Sequence, residues 1–228
     1  MKLTIEEKKK VIKCCNVDLI PDADFDLTKQ YPIDWFKKKF DFIDDIKLQE
    51  HLADIYYQAR FSYTLMRTLS LSQSKYKGIL KLQIIEYASI CEALLNYSIN
   101  KFFKDEFEEM FAIVEYTNVS GSISSKFKTM FDGQEVFICK KKTNKFSVSF
   151  CSNPQKAVYA HNKGIISLST KDAYCTLYDL RNNTHIIKAV KNDYYPKISE
   201  GKMAYELLNT FIEEVRNFFV TQQKHSIA

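Results

Sequence analysis

The chain has 228 residues, 46% hydrophobic and 27% charged, which excludes wholesale disorder and allows a substantial core at this length. Only 5 Gly and 4 Pro are present, too few for the many tight turns of a Rossmann sheet, a β-sandwich or a β-barrel. A net charge of +5 permits contact with nucleic acid without demanding it, and the six cysteines (14, 15, 91, 139, 151 and 175) form no CxxC pair or zinc-like spacing.

The amino-terminal stretch MKLTIEEKKK has no apolar signal core, and no uncharged apolar run reaches the roughly 18 residues needed to span a membrane. The expectation is a cytoplasmic protein with reduced thiols, no membrane contact and no cofactor or metal.

Residues 3–13 read as a short charged helix, followed by a turn region with Pro21 and Pro32. From about Asp34 to Leu71 the pattern is helical, in two helices. The second carries Leu52, Ile55, Tyr56, Ala59, Tyr63, Met66 and Leu69 at three- and four-residue steps. Ser70–Lys77 is polar and breaks the pattern. Periodicity is strongest from about Gly78 to Phe103, where Ile84, Ala88, Cys91, Leu95, Ile99 and Phe102 trace one stripe that Leu80, Tyr87 and Leu94 widen. An acidic helix over about Lys104 to Glu115 is expected next.

Between Val119 and Gly164 the period changes. Val136, Ile138, Phe146, Val148 and Phe150 alternate as in strands, on either side of a basic Lys140–Lys145 turn. After Gly164, Thr170 is placed as the N-cap of a helix running to about Val190, with Asp172 suited to its dipole. Ala173, Leu177, Leu180, Thr184 and Ile187 form its apolar stripe. Tyr194, Tyr195 and Pro196 read as a loop. Ser199 is placed as the cap of a closing helix to about Gln222 that turns Ala204, Leu207, Leu208, Phe211, Val215 and Phe218 inward. The sum is a mainly α protein: an N-terminal helical extension (1–71) and a helical bundle (72–228) with a small β-hairpin inserted at about 116–165.

The chemistry with most focus lies in Leu180-Arg181-Asn182-Asn183-Thr184-His185-Ile186. In one continuous helix, Arg181 and His185 share a face. A neutral histidine can take the 2′-hydroxyl proton of RNA, and a charged one can protonate the leaving oxygen. Arginine offers fixed donors to the phosphate and stabilises charge that develops on it. The products would be a 2′,3′-cyclic phosphate and a 5′-hydroxyl, with no metal required. Asn182 or Asn183 would orient the phosphate or the imidazole. The same residues also describe a solvated helix face on which Arg181 pairs with Asp179 or Asp193. Lys140, Lys141 and Lys142 could likewise touch RNA phosphates, or simply form a solvated turn. Trp35-Phe36 with Lys37–Lys39 and Phe40 could stack bases, or bury the aromatics of a helix and expose its lysines.

The run Leu177-Tyr178-Asp179-Leu180-Arg181-Asn182-Asn183-Thr184-His185 resembles the signature of HEPN domains, in which Arg, a polar residue, a short spacer and His lie on a late helix followed by a closing helix. Ile90-Cys91-Glu92-Ala93-Leu94-Leu95 resembles that family's early helix. The resemblance covers roughly 75–223. Its Arg–His spacer here, Asn182-Asn183-Thr184, is shorter than usual in the family. It implies a HEPN-type bundle, and metal-independent endoribonuclease activity of the kind found in toxins and phage-defence effectors. Arg181 would be the phosphate-binding cation, Asn182 its polar neighbour, His185 the general acid/base and Glu92 a supporting residue. A homodimer with two motifs on one cleft is implied as well, and an antitoxin or other protein partner is compatible. The rival expectation is a non-catalytic helical module that binds RNA, a nucleotide or a protein through the same patch.

Overall fold

The computed structural model describes residues 3–17, 19, 32–118, 129–136, 139–144 and 147–227. Among them the chain is mainly α. Nine α-helices are joined by two small antiparallel sheets: α1 (Ile5–Val17), α2 (Pro32–Lys38), α3 (Ile46–Thr68), α4 (Gln73–Phe102), α5 (Lys104–Met110), β1 (Ile113–Asn118), β2 (Thr129–Phe131), β3 (Gln134–Val136), β4 (Cys139–Asn144), α6 (Asn153–Asn162), α7 (Leu168–Asn183), α8 (Ile186–Lys191) and α9 (Ile198–Ile227). No helix of the described residues is long and apolar enough to cross a membrane. By its contacts the chain divides into two compact units, Met1–Tyr97 with Asn153–Ala228, and Ser98–Ser152.

Local chemistry explains several helix boundaries in the first unit. Thr4 and Glu7 form a capping box at the start of α1: the Glu7 carboxylate accepts from the Thr4 N–H at 2.7 Å and from its hydroxyl at 2.9 Å. Those bonds hold the Glu7 carboxyl below the usual range. Asp45 caps α3 by accepting from the Leu48 N–H at 3.1 Å. Three helices end alike. Ser70, Gly164 and Asp193 take positive φ, and the following N–H of Leu71, Ile165 or Tyr194 reaches back to the carbonyl of Met66, Ala160 or Ala189. This is the Schellman closure, whose left-handed position favours glycine.

The core grows from the expected stripes. In α4, Leu80, Ile84, Tyr87, Ala88, Cys91, Leu94, Leu95 and Ile99 are all buried, as are Ala204, Leu207, Leu208, Phe211, Val215 and Phe218 in α9. Full burial of a side chain of this size contributes about 1.5–3 kcal/mol. Tyr56 of α3 donates to Asn209 Oδ1 of α9 at 2.7 Å, and its ring lies 6.2 Å from Tyr87 of α4. Trp35, Phe36 and Phe40 are buried, with Phe36 edge-on to Tyr56 at 4.9 Å, so these aromatics serve the core and not base stacking.

The second unit revises several expectations. The acidic helix expected to reach Glu115 ends at Met110, and Ile113–Glu115 belong to β1. The inserted β element is present, but its turn lies elsewhere. The β2–β3 hairpin turns at Asp132-Gly133, both at positive φ, the two-residue turn that Asp-Gly favours. Outside it, β1 pairs antiparallel with β4, from Ile113↔Asn144 to Asn118↔Cys139. Lys140, Lys141 and Lys142 therefore stand within a strand, not on a turn, and all three are exposed. Val148–Phe150 forms a short 3-10 helix in place of a strand. Ile138, Lys145 and Phe146 lie outside the described residues.

Candidate functional site

The helix expected to carry Arg181 and His185 together is two helices. Ser167, not Thr170, caps α7, by accepting from the Thr170 N–H at 3.2 Å. Glu214 of α9 holds that cap, accepting from the Ser167 N–H and hydroxyl and from the Thr170 hydroxyl at 2.7–2.9 Å. The C-terminus of α7 is closed by Thr184. Its hydroxyl, on a side chain that is nearly fully buried, donates to the Arg181 carbonyl at 2.6 Å. This local bond competes with helix propagation. His185 then has extended backbone (φ −66°, ψ 135°) and stands at the N-cap of α8, where its ring makes no capping bond.

The buried stripe of α7 also differs from the expected one. It runs through Thr170, Tyr174 and Leu177, and its next step, four positions on, is Arg181. The core-facing row thus ends in a cation. Ile187, expected in the stripe, is 84% exposed. Arg181 lies over the Tyr178 ring, 5.3 Å from its centroid, and donates to the Tyr178 hydroxyl at 3.5 Å. No ion pair joins it to Asp179 or Asp193, the partners a solvated face would supply.

Despite the break, Arg181 and His185 line one hollow of about 800 Å³, with Lys81 and Ile85 of α4, Thr184, and Ile186–Lys188 of α8. Arg181, Lys81 and Lys188 give it three permanent cations beside the imidazole, and no carboxylate is in the lining. Such a surface attracts anions. The sequence pattern did not bring Lys81 or Lys188 to this place. Lys81 sits one turn before Ile85, on a helix whose periodicity signals only its buried side.

The other expected residues stand apart. Asn182 is half-buried next to Arg181 but does not line the hollow, and Asn183 accepts from Asn192 at 3.2 Å. Glu92 lies near Tyr174, whose hydroxyl is pushed up chiefly by burial, with the Glu92 carboxylate adding to it. No ion pair within 4 Å links Glu92 to Arg181. Lys140, Lys141 and Lys142 belong to the second unit.

No family model, no curated protein and no solved structure matches this chain. Among the described residues no group of three or more His, Cys, Asp or Glu side chains could hold a metal ion. What the hollow offers a ligand is fixed positive charge, one imidazole and an apolar wall.

Proposed function

We propose that the hollow binds an RNA phosphodiester and cleaves it without a metal, as an endoribonuclease of HEPN type acting as a toxin or defence effector. The observation that carries this reading is the convergence of Arg181, Lys81, Lys188 and His185 on one concavity without a carboxylate. A phosphodiester carries one negative charge, gains a second as the 2′-oxygen attacks, and needs a proton removed and another delivered. Arg181 would bind the non-bridging oxygens and oppose the developing charge, with Lys81 and Lys188 adding to the field. His185, exposed at the rim with extended backbone, would move the protons. The homodimer implied by the motif belongs to the same reading, with a second copy bringing its own Arg–His pair to the rim.

One observation favours a second reading, binding without cleavage. His185 makes no hydrogen bond that would orient its ring, whereas general bases are commonly held by a further group. The test is incubation of the purified protein with a mixed RNA pool in EDTA, beside Arg181→Ala and His185→Ala. Cleavage by the wild type alone, leaving 2′,3′-cyclic phosphate ends, supports the enzyme. Retention of RNA without cleavage, lost in Arg181→Ala, supports the binding module. Equal cleavage by all three proteins refutes the site.

A further inference from the structure

A second cavity, of about 390 Å³, opens beside the hollow and shares Lys81, Thr184 and Ile186 with it. Its remaining wall comes from the start of α4, from α8 and from the segment that joins α8 to α9. Ala189, Val190, Tyr195 and Pro196 give it apolar surface, Lys77 and Lys81 stand on its α4 side, and Asp193 is its single carboxylate. Lys77 Nζ stands 4.0 Å from the centroid of the Tyr195 ring, which holds the ring at the cavity edge. The cavity is large enough for a nucleobase with part of its ribose.

Asp193 is the acceptor of this cavity. It occupies the left-handed position of the Schellman closure of α8, at φ 46°, where the Asp193 N–H bonds to the Val190 carbonyl and the Tyr194 N–H to the Ala189 carbonyl at 2.9 Å. Gly164 at the end of α6 and Ser70 at the end of α3 take the same position, and aspartate is among the side chains that tolerate it after glycine. The Asp193 side chain makes no hydrogen bond and no ion pair. Asp193 is exposed, and it is the one carboxylate in a lining that otherwise holds Lys77, Lys81, Thr184, two tyrosines and apolar side chains.

We infer that this cavity is a base subsite that selects guanine, with Asp193 as the specificity-determining acceptor and Tyr195 as the stacking surface. This rests on the Arg181 hollow holding the adjoining phosphate. The choice of base follows from hydrogen-bonding patterns. A carboxylate accepts two parallel N–H bonds, and guanine alone among the four RNA bases presents adjacent donors, N1–H and the 2-amino group. Adenine and cytosine place a ring acceptor beside their amino group, and uracil flanks its one N–H with two carbonyls. Each would set an acceptor against the Asp193 carboxylate. An aromatic plane supplies affinity for any base, so Tyr195 adds binding while Asp193 adds choice.

The test is equilibrium titration of the full chain, by calorimetry, with 3′-GMP, 3′-AMP, 3′-CMP and 3′-UMP, and with ribose 5-phosphate as the base-free control. The expected result is that 3′-GMP binds about tenfold more tightly than the other nucleotides, as one bidentate pair provides. Asp193→Asn should abolish that preference while leaving ribose 5-phosphate binding unchanged. Asp193→Gly should do the same, and its compatibility with the left-handed position keeps the fold intact. Tyr195→Ala should weaken all four nucleotides together. Nucleotides binding no better than ribose 5-phosphate would overturn the base subsite while leaving the phosphate hollow standing. A guanine preference that survives Asp193→Asn would overturn the role of Asp193. Guanine-selective binding without any cleavage of RNA would refute the nuclease and uphold the subsite.

Discussion

Arg181 and His185 are four positions apart, yet the Thr184 hydroxyl puts them in separate helices by bonding to the Arg181 carbonyl at 2.6 Å. The bond is partly buried, so Thr184→Val should cost about 1 kcal/mol, read as a lower denaturation midpoint. It should also loosen the His185 backbone and weaken binding in the hollow. Unchanged stability would mean that the bond does not set the end of α7. Glu86 of α4 is a second residue with a consequence. Burial raises its carboxyl to about 7, and its Oε2 is buried without a hydrogen-bond partner. The folded protein therefore prefers the protonated form: the stability this group contributes is full below about pH 4.5 and is lost as pH rises through 7. Glu86→Gln should raise stability at pH 8 by about 1 kcal/mol, after discounting for a half-exposed group, and should change little at pH 4. Thermal melts at both pH values check this, and equal effects at the two would exclude Glu86 as the titrating group.

Among the elements, α4 and α9 were the most legible, because their buried rows repeat at helical spacing and tolerate no other register. Leu80, Ile84, Cys91 and Leu95 on one, and Leu208, Phe211 and Val215 on the other, are core residues by pattern and by structure. The break between α7 and α8 was hidden because Asn182-Asn183-Thr184 contains neither Gly nor Pro, and a threonine hydroxyl does the work those residues usually do. The ribbon was misplaced for a different reason. Ile113, Val114 and Tyr116 of β1 and Lys140, Lys141 and Lys142 of β4 are all exposed, so no alternation of burial marks either strand. Register shows Lys141 opposite Tyr116 and Lys142 opposite Glu115, a pairing of residues far apart in sequence that periodicity cannot reveal. If this basic strand contributes to RNA binding, replacing Lys140, Lys141 and Lys142 together by Ala will lower affinity and flatten the dependence of log K on log salt by roughly one unit per lost contact. An unchanged slope would remove the ribbon from the interface.

At the scale of the first unit, residues 34–68 share a core with the helices that follow. Phe36, Phe40 and Tyr56 are fully buried, Tyr56 bonds to Asn209 at 2.7 Å, and the Arg216 guanidinium pairs with Asp41 and donates to the Lys38 carbonyl at 2.7 Å. Removing residues 1–71 would strip that cover from α4 and α9. A chain starting at residue 72 should therefore show no cooperative melting transition and should expose apolar surface to a hydrophobic dye. A cooperative melt by that fragment would contradict the shared core. Sequence pattern revealed the helices on both sides of residue 71, but not that they meet, since amphipathic stripes do not name their partners.

The phosphodiester reading depends on chemistry at His185 within a hollow whose binding charge comes from Arg181, Lys81 and Lys188. The most direct measurement is single-turnover cleavage of an end-labelled RNA in EDTA by wild type and His185→Ala, with RNA affinity determined alongside. General acid/base catalysis predicts that the substitution lowers the rate by about 10²-fold or more while leaving affinity nearly unchanged. Cleavage at the same rate by both proteins would contradict the account.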